Sequence, residues 1–292
     1  MNNVVKLLFV GDIYIKNKPN SKIIDKELKD IFTKHNIVSC NFEGPVSTKN
    51  LGYINKIGPK ILQYVDAPKL LEDVGFNVIS ISNNHILDYG KSALEQTIES
   101  FDSQIVVGAG VDFNSAYELK IKYDNNIKIG FLSFSEAGFG ALYDEYGKCG
   151  YAWINNNIVD ELVYKSRQVV DFLVVQIHAG VEEVELPIPE WRYRYRKIID
   201  QGADLIIGHH PHISQGWEIY KNKLIFYSLG NFYFDFENPS PYWNESYMVS
   251  VTIGSGGMIS FEVIPVERNN YCVKLNNEKA FGNKLEHLCS LL

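Results

Sequence analysis

Eight short apolar runs, rich in β-branched residues, recur along the chain. They are VVKLLFV (4–10), IVSCNF (37–42), NVISIS (77–82), IVVGAG (105–110), IKIGFLSF (127–134), DFLVVQIH (171–178), ADLIIG (203–208) and LIFYSLG (224–230). Each is too short for a buried helix and lacks the strict alternation of a strand with one wet face. Each therefore reads as a strand covered on both sides. Helical patterns lie between several of them, at 22–35, 67–75, 91–102, 157–168 and 189–201. Strand alternating with helix builds an α/β architecture whose helices cover the sheet faces. From 247 the pattern changes to YMVSVTI, GSGG and MISFEVIPV, a β-hairpin over about 247–266 with a Gly-rich turn. No linker, low-complexity tract or internal repeat interrupts the pattern, so residues 1–292 are expected to form one domain, with a short tail packed on the hairpin.

Polar residues fall where these runs stop. Asp12 follows the first run, Glu43 the second, and Asn83, Asn84 and His85 the third. His178 ends DFLVVQIH, and IIGHHPHISQG (206–216) places His209, His210 and His212, three of only seven histidines, within four positions. In an α/β sheet the carboxyl ends of the strands converge on one crevice, where ligands bind. Five strands thus send a carboxylate, amide or imidazole to one edge. The donors are nitrogen and oxygen without thiolate, a set that suits Mn, Fe, Zn or Mg. A divalent ion among such groups polarises a phosphoryl or carbonyl oxygen and lowers the pKa of bound water.

Composition removes other classes. A net charge of -7 and a pI of about 5.6 argue against nucleic acid as a partner, since phosphates need a basic footprint. Cys40, Cys149, Cys272 and Cys289 are widely spaced, with no C-x-x-C pair, and read as ordinary reduced residues. The opening MNNVVKLLFVGD lacks a basic n-region and runs straight into a motif, so no signal peptide is expected. No stretch approaches the roughly 20 apolar residues of a membrane span. A cytoplasmic location is the expectation.

The motifs GD (11–12), NFEGPVS (41–47), GFNVISISNNHILDYG (75–90), GAG (108–110), HAGVE (178–182), GADLIIGHHPHISQGWEIY (202–220) and IFYSLGNFYFD (225–235) follow in this order. Over roughly residues 5 to 265 they closely resemble the bacterial CapA family of poly-gamma-glutamate capsule synthesis. The resemblance implies a calcineurin-like metallophosphoesterase fold: a four-layer α/β arrangement with a central β-sandwich flanked by helices and a metal centre at the strand ends. It implies that Asp12, Glu43, Asn84, His178, His210 and His212 hold metal, with His209 as an alternative to His210. His85 would then act near the leaving group. Two departures stand out: Tyr14 occupies the place of a histidine in the superfamily's first Asp-x-His motif, and Glu43 replaces a shorter bridging aspartate. One or two divalent ions are therefore expected.

The implied function is a metal-dependent hydrolase, a phosphoesterase linked to capsule or cell-envelope polysaccharide or polyglutamate biosynthesis. Its substrate would be a small molecule or an envelope polymer carrying phosphate or carboxylate. The rival from another class is a non-catalytic polymer-binding or assembly factor on the same fold. A third possibility is a metal-free hydrolase using Glu43 and Glu182 as a carboxylate pair. Asp12, His85 and Glu182 are the catalytic candidates, although Glu182 in HAGVE reads equally as a surface acid or a general base. Asp88 either positions His85 or caps the helix starting near Lys91, and the cap is the expected role. Asn231 is expected to organise a turn. In EWRYRYRK (190–197) and the residue that follows it, Trp191, Tyr195 and Ile198 share a helical face, which favours core packing over phosphate binding by the arginines. The aromatic loop FYFDFENPSPYWNESY (232–247) offers either a sugar-stacking or crevice wall, or ordinary packing under a long loop.

Overall fold

A computed structural model describes residues 4–20, 22–49, 51–269 and 271–292. The first half runs β1 (Val4–Tyr14), α1 (Lys26–Phe32), β2 (Ile37–Phe42), α2 (Ala67–Val74), β3 (Val78–Ser80), α3 (Gly90–Glu99) and β4 (Ile105–Val107). A small excursion follows through β5 (Ala109–Gly110) and α4 (Phe113–Ala116). The second half has β6 (Lys120–Asp124), β7 (Ile127–Ser135), β8 (Ala141–Leu142), β9 (Gly150–Ala152), α5 (Val159–Arg167), β10 (Phe172–His178), α6 (Pro189–Asp200) and β11 (Leu205–His209). It closes with β12 (Trp217–Tyr220), β13 (Lys223–Phe226) and β14 (Asn231–Phe234). The hairpin β15 (Glu245–Gly254) and β16 (Gly257–Asn269) comes next, then β17 (Cys272–Leu275) and α7 (Lys279–Ser290).

Two sheets stack. The first has the order β17-β16-β15-β1-β2-β3-β4 with β14 also paired to β1; the second has the order β12-β13-β11-β10-β7-β6. Side-chain alternation along each strand explains the layering. Val5, Leu7 and Phe9 of β1 point into a core shared with Val174, Leu205, Ile207 and Phe226 of the second sheet. Leu8 and Val10, between them, pack instead with Leu28, Phe32, Leu71 and Leu94 of α1, α2 and α3. The second sheet mirrors this: Leu173, Val175 and Ile177 of β10 face Val163, Tyr195 and Ile198 of α5 and α6. Helix, sheet, sheet, helix is the four-layer arrangement implied by the motifs.

The differences from expectation have local causes. The run 105–110 is not one strand. Gly108 turns it at φ +98, and a Cβ there would lie 2.6 Å from the Cβ of Ser82 and 2.7 Å from that of Ser133. The run 224–230 also splits, because after β13 the chain crosses to the first sheet and enters it as β14. That crossing needs Gly11, where a Cβ would lie 1.8 Å from the carbonyl oxygen of Gly230, the group that accepts the Asp12 amide at 3.0 Å. The tail adds a strand to the hairpin, and α7 sends Phe281 and Leu285 into the inter-sheet core. In α6, Tyr195 and Ile198 are buried, while Arg194 and Arg196 are paired with Asp160 and Glu218. The four cysteines are unbridged. Among the described residues, no helix is long and apolar enough to cross a membrane.

Candidate metal centre

β1, β2 and β3 are parallel neighbours in one sheet, as are β7, β10 and β11 in the other. Their carboxyl ends meet at one edge of the sandwich. β1 runs two residues beyond Asp12 rather than stopping before it, with register shifts on either side of that residue. Such irregularities re-aim a side chain. The Asp12 carboxylate accepts hydrogen bonds from Asn41 Nδ2 at 2.8 Å and from the His210 amide at 3.1 Å. The turn carrying His210 therefore folds back over β1. It does so through a left-handed backbone at His210 (φ +96) and His212 (φ +60), conformations that are costly outside glycine and that collect at functional sites.

Four donor atoms converge next to β10. His178 Nε2 lies 3.1 Å from Asn84 Oδ1, 3.0 Å from His210 Nδ1 and 4.0 Å from Glu43 Oε1. One shared proton can satisfy only one of those contacts, whereas a cation would satisfy them all. Bonds of about 2.0–2.2 Å to one ion place its ligands roughly 3–3.5 Å apart, close to what is seen. Glu43 makes the same point more strongly. Its side chain is 0% exposed and neither carboxylate oxygen has a hydrogen-bond partner. Three imidazole nitrogens face it, His212 Nε2 at 3.6 Å, His85 Nε2 at 3.9 Å and His178 Nε2 at 4.0 Å. A buried carboxylate without donors is too unfavourable to keep as an anion, so it either takes up a proton or is balanced by a cation.

A second group of donors adjoins the first. His212 Nδ1 is 3.6 Å from Asp12 Oδ2 and 2.9 Å from Asn231 Oδ1. The Asn231 bond fixes the ring so that Nε2 faces Glu43, an orienting contact typical of ligating histidines. Asn231 thus does more than shape a turn: its Nδ2 also donates to the Trp243 carbonyl at 3.1 Å. His209 does not take the place of His210. Its Nδ1 lies 3.1 Å from Asp12 Oδ1 but off a hydrogen-bonding direction, so both nitrogens of this buried ring stay unpartnered. Glu182 is exposed, yet its carboxylate comes within 4.8 Å of ring nitrogens of His210 and His212.

Charge follows from burial. Burial, then the Asp12, Glu182 and Asp88 carboxylates, pushes the Glu43 carboxyl well above its usual range. Burial, then the neighbouring imidazoles, holds His178 well below its usual value, so its lone pair is free. His212 is lowered by burial as well. Burial opposes a charged His210, but hydrogen bonding to Glu136 outweighs it and raises that ring. For Asp12, burial alone raises the carboxyl, and His209, His212 and Asn41 together bring it below the ordinary range. Glu43 and His210 therefore hold protons over a range in which metal ligands must be bare, while Asp12 and His178 do not. Metal affinity should rise with pH, with protons released on binding. Calorimetric titration of a divalent ion in two buffers of different ionisation enthalpy reads this; zero release near neutral pH would contradict it.

Two residues passed over in the sequence, Glu136 and Lys56, belong to the site, and Asp88 joins them in a role other than the cap expected of it. Glu136, the residue after β7, places Oε1 3.2 Å from His210 Nε2 and accepts the Gly180 amide at 3.3 Å through Oε2. It follows an apolar run as the other site residues do, and that was its one visible signal. Lys56 comes from an irregular segment with no such signal. Its ammonium pairs with Asp88 and reaches the Asn84 carbonyl at 3.1 Å. Asp88 does not cap α3, whose N-cap is Tyr89 with no side-chain bond. Instead its Oδ2 lies 2.7 Å from His85 Nδ1 and accepts the Ile61 amide at 2.9 Å. The cap expectation fails because the chain makes a further turn after His85, which carries Asp88 back beneath the ring.

Tyr14 is buried in a cluster with Ile61, Phe234 and Trp243. Burial pushes its hydroxyl up to about 12, so it stays protonated and is a poor metal ligand. Tyr14→Phe is expected to leave metal stoichiometry unchanged, as read by elemental analysis. Loss of an ion in that variant would make the phenol a ligand.

Sequence comparison agrees with this geometry. Residues 6–236 match the family described as bacterial capsule synthesis protein PGA_cap. The PGA biosynthesis protein CapA of Bacillus subtilis (strain 168) is 31% identical over 281 residues, 91% of this chain and 72% of the relative. The capsule biosynthesis protein CapA of Bacillus anthracis is 28% identical over 283 residues, 91% of this chain and 68% of the relative. Among solved structures, a novel phosphatase from Mycoplasma pneumoniae superposes with a TM-score of 0.60 at 16% identity, covering 93% of this chain and 97% of that one. The 5'-nucleotidase precursor from Thermus thermophilus gives 0.52 at 12% identity, covering 99% of this chain and 58% of that one. At those identities the likeness shows a shared fold. With the sequence match running from ahead of Asp12 to beyond Asn231, the chain belongs to the bacterial capsule synthesis protein PGA_cap family.

Proposed function

We propose that this chain is a metal-dependent phosphoester hydrolase acting in capsule or cell-envelope polymer synthesis. The observation that carries the reading is Glu43, a fully buried carboxylate without hydrogen-bond donors, facing three imidazoles. Glu43, Asn84, His178 and His210 would hold one divalent ion. Asp12, Glu43 and His212, with His209 beside Asp12, would hold a second. A bound ion there polarises a phosphoryl oxygen and supplies a water of lowered pKa.

The chain's own residues do the rest. Asp88 holds His85 by Nδ1, which leaves Nε2 turned toward the donor cluster. A proton on that nitrogen can pass to the leaving oxygen as charge develops. Lys56 anchors both Asp88 and the Asn84 carbonyl, so the Asn84–His85 pair keeps its orientation. Glu182, exposed beside His210 and His212, would accept a proton from an entering water. The link to capsule synthesis is supported by the names of the Bacillus relatives.

The test is a screen of phosphomonoesters and phosphodiesters with added Mn, Zn, Fe or Mg, run beside Asp12→Ala. Metal-dependent turnover that disappears in the variant is expected. Equal background rates in both would leave the assembly-factor role as the better account.

A further inference from the structure

A groove of about 930 Å³ is lined in part by Trp243, whose ring packs against that of His212. Lys16 opens it, four residues beyond Asp12, roughly 13 Å along an extended backbone. Its base is a built ion pair, Asp235 to Arg268 at 2.6 Å. Asp235 is itself tied to the end of β1, donating its amide to the Tyr14 carbonyl at 2.8 Å and accepting the Lys16 amide at 3.2 Å. Trp243 separates groove from cluster: its ring lies 5.2 Å from that of His212 on one side and 6.3 Å from that of Phe236 on the other. Trp243 is 4% exposed and its Nε1 is a buried donor without a partner. Phe236 and Tyr271, also lining the groove, are 40% and 50% exposed.

We propose that this groove is a carbohydrate subsite, holding the glycosyl body of a ligand whose phosphoester end lies at the metal cluster. The chemistry selects that class. Lys16, Lys18 and Arg268 are nearly balanced by Asp235 and Glu237, so a polyanion would meet two carboxylates and a polycation two ammonium groups and a guanidinium. A purely apolar chain would desolvate the Asp235–Arg268 pair without replacing its hydrogen bonds. A sugar satisfies both features. Its C–H faces cover flat exposed rings, and its hydroxyls bond the free edges of fixed charges and amides. Asn244 adds such an amide, held by Arg268 Nε at 3.2 Å.

The proposal rests on the hydrolase reading for which end of the ligand reacts, and binding is measured separately from turnover for that reason. The metal-loaded protein is titrated by calorimetry with chitohexaose, cellohexaose and maltohexaose, and with a glutamate hexamer as the polyanion. At least one hexasaccharide should bind, and Phe236→Ala and Tyr271→Ala should each weaken it about tenfold. Both variants should hydrolyse p-nitrophenyl phosphate at the unmodified rate, since neither ring touches the cluster. Binding of no hexasaccharide overturns the proposal. So does preference for the glutamate hexamer, or sugar binding indifferent to both substitutions. Sugar binding that follows the two rings while no phosphoester is hydrolysed supports the groove and removes the hydrolase.

Discussion

His178→Ala and His210→Ala are each expected to strip divalent metal from the chain and to abolish phosphoester turnover. His178 Nε2 is the atom on which Asn84 Oδ1, His210 Nδ1 and Glu43 Oε1 converge. Loss of an orienting contact around a metal typically lowers affinity about 10–100-fold, so loss of a direct ligand should reach or exceed the upper figure. The metal-free melting temperature should fall far less than metal affinity does, since each variant gives up only a few polar contacts, such as that of His210 with Glu136. Elemental analysis after dialysis, with the melting temperature measured on metal-free samples, checks both halves. Unchanged stoichiometry in both variants would remove these residues from the site. His209→Ala should do less to this position, because that ring stands beside Asp12 instead.

His85→Asn carries the second large effect. The ring is 7% exposed, held by Asp88, with Nε2 3.9 Å from Glu43 Oε1. Proton donation from such a position is worth about 10²–10⁴-fold in rate. Turnover of an alkyl phosphoester, whose leaving oxygen needs a proton, should fall by that order while metal content and melting temperature hold. A p-nitrophenyl ester needs no proton on its leaving group and should lose far less. Equal losses on both esters would end the proton-donor role, and loss of metal would make His85 structural. Asp88→Asn should show a weaker form of the same split, since it acts only through the ring it holds.

Much of this was legible in the sequence because strand ends are a one-dimensional signal. An apolar run followed by Asp, Glu, Asn or His marks both a strand and the edge where its side chain emerges. Asp12, Glu43, Asn84, His85, His178 and the cluster His209, His210 and His212 carry that signal, the choice within the cluster comes from the family resemblance, and the structure brings these residues to one edge. The sequence could not show how loops return. Asp88 looked like a cap because a cap is defined by neighbours in the chain, whereas its partners, Lys56 and His85, depend on a turn and on a distant irregular segment. Asn231 looked like a turn residue because its contact with His212 exists only after the chain crosses between sheets at Gly230. Glu136 carries the same strand-end signal as the others, set one residue further from its apolar run by Ser135. The split of 105–110 at Gly108 depends on the close approach of Ser82, just past β3, and Ser133, within β7, which leaves no room for a Cβ, and no local pattern encodes it.

Anomalous diffraction decides whether these donors form a metal centre. Crystals of protein purified without chelator, and supplied with Mn or Zn, should show an anomalous peak among Glu43, Asn84, His178 and His210. A second, weaker peak is expected between Asp12 and His212. Density showing Glu43 and the imidazoles bridged only by water, with no anomalous signal at millimolar metal, would contradict the account.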